Sequence, residues 1–307
     1  MKYAGVVVTY NRKEELIKNI NSILQQSKKF DRYYIIDNCS TDGTYDYLKE
    51  HHILENDMIE FISLPENTGG AGGFYYGLKQ AFEDGFDFIC MMDDDGRAFD
   101  KDTFRRLYDA AEKCCRLEKK LMLNSLVVCD DGPCKLSFGL DNMKTVNEVS
   151  KKARDGLIRG LINPFNGTLV TKELIHEIGF PNKDFFVRGD EVDYQSRAVR
   201  AGALAATVID SLYYHPSTEL VPMKWRGSTV YFGISSPWKG YYLIRNYVYR
   251  LKRDEGITAA VKEFIFQFYG TMKCNPDAKN CIRLFMKGFG DGMTGKLGMR
   301  VKPGQNK

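Results

Sequence analysis

Three consecutive carboxylates, Asp93, Asp94 and Asp95, close a run of five apolar residues (FICMM, 88–92) and are followed by Gly96. Side chains alternate faces along a strand, so two of the three acids project the same way at its carboxyl end. Adjacent acids repel one another, and a fold holds them cheaply only where positive charge arrives. A hard divalent cation with oxygen ligands, shared with a phosphate, meets that need. A solvated acidic turn also accommodates three acids, but it does not require an apolar lead-in.

Five other groups could do chemistry. Asp37 ends a second apolar run (YYIID) and opens Asn38-Cys-Ser-Thr-Asp-Gly, where an acid can accept from a base N–H or a ribose hydroxyl, or form an Asx turn before a helix. Asn67-Thr-Gly69-Gly70-Ala-Gly-Gly73 reads as a glycine-rich loop entering a helix, which lets backbone N–H groups approach a phosphate or sugar. It lacks the spacing of a dinucleotide fingerprint and the Lys-Ser/Thr of a P-loop. Asp190-Glu191-Val-Asp193 reads as a helix start. Its acids either cap the helix or supply a general base toward a hydroxyl, with Phe185, Phe186 and Val187 supplying partial desolvation. His215 follows a β-rich run and could complete an oxygen-rich metal site or touch a phosphate. Further on, Arg245 and Asn246 lie in an aromatic helical stretch. With Trp225, Trp238 and Lys239 they either line an acceptor groove or pack over a tyrosine stripe.

The elements that must position these groups alternate over the first hundred residues. Strands are expected at 3–9, 33–37, 58–64 and 86–92, with helices from 11 to about 25, over 44–52 and from 73 to about 83. This order predicts a parallel, doubly wound sheet whose ligands bind outside the carboxyl ends of its strands. A helix at 103–118, a strand at 121–128, a loop-rich stretch to 160, a short strand at 166–170 and a helix at 172–178 follow. Beyond Val221 the chain is expected to be helical, most regularly over 238–253, and its last nine residues to fray. Two regions are expected, a catalytic domain over 1–220 and a helical, basic region over 221–307.

Composition narrows the class. The chain has 307 residues, 43% of them hydrophobic, enough for one large core or two modest ones. No run approaches a membrane span, and no signal peptide opens the chain, so a cytoplasmic location is expected. Eight cysteines, Cys134 among them, form no CxxC pair, which fits a reducing compartment and speaks against zinc. Residues 221–307 hold 16 Lys and Arg against 5 Asp and Glu, a net +11 that leaves −7 for the first 220. So basic and aromatic a tail could face a phosphorylated substrate, nucleic acid or anionic lipid.

Taken in order, these motifs resemble the inverting glycosyltransferases of family 2, with the GT-A fold: a Rossmann-like, mostly parallel sheet. The likeness runs from Val-Val-Thr9-Tyr-Asn11-Arg12 through the segments at 37–43, 67–73, 93–95 and 190–193. It extends to Lys287-Gly-Phe-Gly-Asp-Gly-x-x-Gly-Lys-Leu-Gly near the end. The resemblance implies that Thr9, Arg12, Asp37, Asn67, Gly69, Gly70, Asp93 and Asp94 serve the nucleotide-sugar donor. It implies Asp95, with Asp93 and His215, as ligands of Mn2+ or Mg2+, and Glu191 as the base, with Asp190 its competitor because the family more often has aspartate there. The glycine-doubled loop and the Asp-Glu-Val-Asp-Tyr segment most resemble galactofuranosyltransferases, with rhamnosyltransferases next. That implies a UDP-galactofuranose donor, a glycan or lipid-linked glycan acceptor and no nucleic-acid partner, while the charge asymmetry of the tail is what suggests peripheral contact with the inner membrane face. A nucleotidyltransferase would want a glycine-rich basic loop after the first strand, and VVVTYNRKEEL has none. A non-catalytic carbohydrate-binding module would not need both acid clusters.

Overall fold

The computed structural model describes residues 1–129, 135–217 and 220–304. Cys134 and the last three residues of the expected frayed end lie outside them. The chain divides into two compact units, Met1–Pro181 with Tyr194–Ser217, and Asn182–Asp193 with Thr218–Lys307. Residues 182–193 therefore group with the carboxyl-terminal unit, whereas the sequence placed them with the first 220.

In the first unit, β1 (Tyr3–Thr9), α1 (Lys13–Leu24), β2 (Arg32–Asp37), α2 (Thr44–Glu50), β3 (Ile59–Ser63), α3 (Gly69–Glu83) and β4 (Phe88–Asp93) follow the expected alternation. All seven residues of β1 are buried, as a strand covered on both faces requires. The chain continues through β5 (Arg97–Ala98), α4 (Thr103–Cys114), β6 (Leu121–Val128), β7 (Lys135–Leu140), β8 (Met143–Thr145), α5 (Val146–Lys152), β9 (Leu157–Arg159), β10 (Asn166–Thr171) and α6 (Lys172–Ile178). It closes through α7 (Asp190–Arg200), which straddles the division, and β11 (Leu204–Tyr214). The main sheet runs β3-β2-β1-β4-β10-β6-β11-β5. Strands β1 to β4 are parallel, β11 is parallel to β6, and β10 is inserted antiparallel between β4 and β6. Residues 135–159, expected to be loop-rich, hold three short strands and a helix, elements too short and polar for periodicity to register.

The glycine-rich segment is helix rather than loop, because α3 begins at Gly69. A Cβ on Gly73 would lie 2.3 Å from Val8 Cγ1. Glycine there lets α3 lie flat against β1, so close helix–strand packing accounts for it without any ligand.

The second unit opens its carboxyl-terminal part with a hairpin, β12 (Leu220–Trp225) and β13 (Ser228–Gly233), where helix was expected. Helices α8 (Pro237–Asp254), α9 (Ile257–Cys274) and α10 (Ala278–Thr294) follow. Ile244, Val248 and Leu251 of α8 pack with Ala260 of α9 and Cys281 and Phe285 of α10. Asp193 is fully buried here, and its Oδ1 accepts from Arg253 Nη2 at 2.7 Å. Arg253→Ala would remove a charged partner from that buried carboxylate, and a loss of up to about 3 kcal/mol is expected, read as a lowered Tm in a thermal melt. Among the described residues no helix is long and apolar enough to cross a membrane.

Candidate active site

β1 lies between β2 and β4, with Thr9 level with Asp37 on one side and Val8 level with Asp93 on the other. Three strand ends thus bring polar side chains to one edge of the sheet. The device that adds His215 is β5, two residues long and placed directly after the acids. Arg97 pairs with Tyr214 and Ala98 with Tyr213, so the end of β11 is drawn back to the acidic turn. Gly96 is required by the same packing, since a Cβ would fall 2.4 Å from Tyr213 Cε1. A contact spanning about 120 residues of sequence therefore depends on two residue pairs of one short strand pairing and on one glycine.

Asp93, Asp95 and His215 each present a ligand atom, all within 4.8 Å of one another. Alternation along the strand end holds, because Asp94 turns the other way. His215 Nε2 lies 3.1 Å from Asp95 Oδ1. Its Nδ1 stands 2.8 Å from the Pro216 carbonyl, which can only accept, so Nδ1 carries the proton and Nε2 is left to face the acids. Phe138 packs on the imidazole at 4.9 Å between ring centroids and limits its rotation. Two carboxylates and a neutral imidazole suit Mn2+, and with less preference Mg2+, so the residues present fit a divalent cation.

Asp94 is 6% exposed and accepts from Thr9 Oγ1 at 2.9 Å and from Arg12 Nη1 at 3.1 Å. Arg12 Nη1 also lies 2.7 Å from Asp95 Oδ2. Thr9 and Asp94, expected to face the donor, are committed to each other inside the fold and brace the acidic turn. Burial pushes the Asp94 carboxyl up to about 6, with Arg12 and Thr9 opposing and the Asp95 charge adding. At Asp95, burial also favours the neutral form, but the hydrogen bond and charge of His215 and then Arg12 prevail and hold it at about 2. Burial would lower the His215 pKa, yet Asp95 and then Asp93 raise it above its ordinary value.

Asp37 is 5% exposed and accepts from Ser40 N at 3.2 Å and Ser63 Oγ at 3.2 Å, so it shapes the turn after β2. Asn67 Oδ1 accepts from Gly69 N at 2.8 Å and from Asn38 Nδ2 at 3.1 Å, tying this turn to the start of α3. Gly70 faces open space. Asn38, which sequence reasoning passed over, holds both segments by also accepting from Thr68 N at 2.8 Å. Beside Asp95 a cavity of about 630 Å³ is lined by Arg12, Glu15, Lys18, Arg97, Tyr214 and Pro216. Lys18 and Arg97 were not foreseen either. The signal was present, since residues 12, 15 and 18 share one face of a helix and Arg97 follows the acids directly.

In the second unit, Asp190 is 5% exposed while Glu191 is half-buried, both in the first turn of α7. Phe185 packs on Tyr249 and Phe186 on Tyr242, inside this unit's core. Arg245 does not line a groove. It is fully buried, and its guanidinium donates to backbone carbonyls at 184, 185 and 298. Trp225 packs against Phe266 and Tyr269, and Trp238 against Tyr242 with Lys239 Nζ 5.5 Å from its ring. These aromatics anchor the hairpin and α8.

Comparison with known proteins agrees with this geometry. Residues 6–116 match the family described as Glycosyl transferase family 2. Galactofuranosyltransferase GlfT1 of Mycobacterium tuberculosis is 32% identical over 226 residues, 71% of this chain and 72% of that protein. The dTDP-rhamnosyl transferase RfbF of Shigella flexneri is 21% identical over 288 residues, 92% of this chain and 91% of that one. Among solved structures, GalNAc-T7 with UDP, GalNAc and Mn2+ superposes with a TM-score of 0.59 at 14% identity, over 96% of this chain and 56% of that one. With its parallel sheet, its strand-end acids and a relative this similar over most of both chains, the protein belongs to glycosyltransferase family 2 and is a GT-A glycosyltransferase.

Proposed function

We propose that this enzyme transfers galactofuranose from UDP-galactofuranose, with inversion, to a hydroxyl of a surface glycan or lipid-linked glycan. The observation that carries the sugar is the likeness to the galactofuranosyltransferase, stronger in identity than that to the rhamnosyl transferase. Asp93, Asp95 and His215 would hold a divalent cation, which would supply charge neutralisation for the departing nucleoside diphosphate. Arg12 adds a fixed positive charge beside Asp95, and Pro216 keeps the His215 lone pair on the same side. Glu191 removes the acceptor hydroxyl proton. The oxygen then bonds to the anomeric carbon on the face opposite the diphosphate, and the electron pair of the breaking C–O bond leaves with UDP. Glu191 is favoured over Asp190 because a base must reach its substrate, and Asp190 is buried. The test is UDP release and product formation from UDP-galactofuranose, compared with UDP-galactose, UDP-glucose and dTDP-rhamnose, each with and without Mn2+. Turnover highest with dTDP-rhamnose would replace the proposed donor. The overall alignment with RfbF is what makes that the second reading.

Metal affinity should depend on pH with a definite sign. In the metal-free site His215 holds its proton to a higher pH than an ordinary imidazole, because Asp95 and then Asp93 stabilise the imidazolium against the opposing effect of burial. A cation must displace that proton, so affinity for Mn2+ falls as pH drops through the raised His215 pKa, by up to about tenfold per unit. Calorimetric titration with Mn2+ and UDP from pH 8 to pH 6 measures it. His215→Gln should bind more weakly but with a flatter profile over that range.

The carboxyl-terminal unit is proposed to rest on anionic lipid. The exposed face of α10 sets Ile282 and Met286, 40% and 51% exposed, among Lys279, Arg283 and Lys287, and its exposed residues include no acid. Sedimentation with phosphatidylglycerol vesicles, absent with phosphatidylcholine and reversed by salt, is the expected result. The double variant Lys279→Glu with Arg283→Glu should weaken it tenfold or more. Equal behaviour with both vesicles would refute this part.

A further inference from the structure

We infer that Arg245 and Asn246 of α8 are positioning residues that hold the catalytic carboxylate in place by clamping the backbone in front of it. Residues 184–189, which lead into α7, contain an unfavourable bend. Phe186 has φ 65° and ψ −71°, and Val187 N donates to Phe185 O at 2.8 Å, which makes Phe186 the centre of a γ-turn of the strained hand. Arg188 also has φ 65°, a backbone region costly for a residue with a side chain. Strain of this kind persists only where the surroundings over-determine it, and here two adjacent buried side chains do so.

Both Arg245 and Asn246 are fully buried. Arg245 Nη2 donates to the carbonyls of Asp184 and Phe185 at 3.0 and 2.8 Å. Asn246 Nδ2 lies 3.0, 3.0 and 2.6 Å from the carbonyl oxygens of Phe185, Val187 and Arg188. Arg245 Nε donates to Asn246 Oδ1 at 2.8 Å, which orients the amide so that its NH2 meets the bend. Gly189, φ 83°, completes the fit, since a Cβ there would stand 3.3 Å from Asn246 Cβ and from the Tyr247 ring. Two residues later comes Glu191. The pair therefore collects four successive or near-successive carbonyls immediately before the proposed base, and touches neither base nor substrate. An ordinary loop of this length needs no such clamp. Its value lies in fixing where α7 starts, and misplacing a reacting group by about 1 Å can cost about 100-fold in rate.

This inference rests on the reading of Glu191 as the base, and the experiment separates the two. Asn246→Ala and Arg245→Lys are compared with Glu191→Gln in the full-length enzyme. Turnover is expressed per UDP–Mn2+ binding site, counted by calorimetry. The proposed donor and metal ligands all precede residue 182 or lie at 215, outside the unit that holds the clamp, so UDP binding is a control for folding of the donor side. For Asn246→Ala we expect kcat about 100-fold lower, donor KM changed less than threefold, unchanged UDP affinity, and a pH profile of kcat shifted relative to wild type. Arg245→Lys, which keeps the charge but cannot span the same carbonyls, should lie between. Normal kcat per binding site in Asn246→Ala, with Glu191→Gln inactive, overturns the clamp and leaves the base intact. Loss of UDP binding together with turnover also overturns it, assigning the pair to general folding. Full turnover in Glu191→Gln removes the base reading, and the positioning role with it.

Discussion

Asp95→Ala is expected to lower turnover by about a thousandfold or more and to abolish the enhancement of UDP binding by Mn2+. Asp95 stands between two cations, with Arg12 Nη1 2.7 Å from one carboxylate oxygen and His215 Nε2 3.1 Å from the other. Its carboxyl is held at about 2 because those neighbours outweigh burial, so it is ionised at any working pH and offers its charge to a metal without first losing a proton. Removing it withdraws a proposed ligand and leaves the Arg12 guanidinium facing the space a cation would occupy. Charge stabilisation of a leaving diphosphate by a metal is worth several kcal/mol, and about 4 kcal/mol corresponds to the thousandfold loss. Asp95→Asn preserves the shape and should lose nearly as much. If Asp95→Asn retained Mn2+-dependent UDP binding, metal ligation would have to move to Asp93 and His215 alone.

Glu191→Gln is expected to lose between a hundredfold and ten-thousandfold in kcat, the range that a positioned general base supplies, with UDP and Mn2+ binding unchanged. The two variants therefore differ in kind. The first fails at donor binding in the presence of metal, whereas the second binds donor and fails at transfer. Isothermal titration with UDP beside a steady-state assay separates them. Retained turnover in Glu191→Gln with loss in Asp190→Asn would move the base by one residue, despite the burial of Asp190.

Arg245 shows how a residue type can mislead when its environment is unknown. Arginine amid tyrosines and tryptophans suits a sugar-binding groove as well as it suits a packed helix. The choice is made by backbone carbonyls some sixty residues earlier, and no local pattern announces them. Gly73 misled in the same way. Glycine permits close approach whether the neighbour is a phosphate or a valine, and at Gly73 the neighbour is Val8.

Local order was legible for local reasons. Strands β1, β2 and β4 are built on continuous apolar runs, the helices between the strands are periodic, and parallel pairing follows from that alternation. The alternation of Asp93, Asp94 and Asp95 was legible too, because it depends only on the two-residue period of a strand. Tertiary structure decided what each of them faces. Only the pairing of β5 with the end of β11 brings His215 to Asp95, only the hydrogen bonds of buried Thr9 and of the Arg12 guanidinium to Asp94 turn that acid into a brace, and only the clamp from α8 sets the backbone before Glu191. Each of these is a contact between residues far apart in the chain, governed by packing and desolvation, and none is written in the spacing of residues along the sequence.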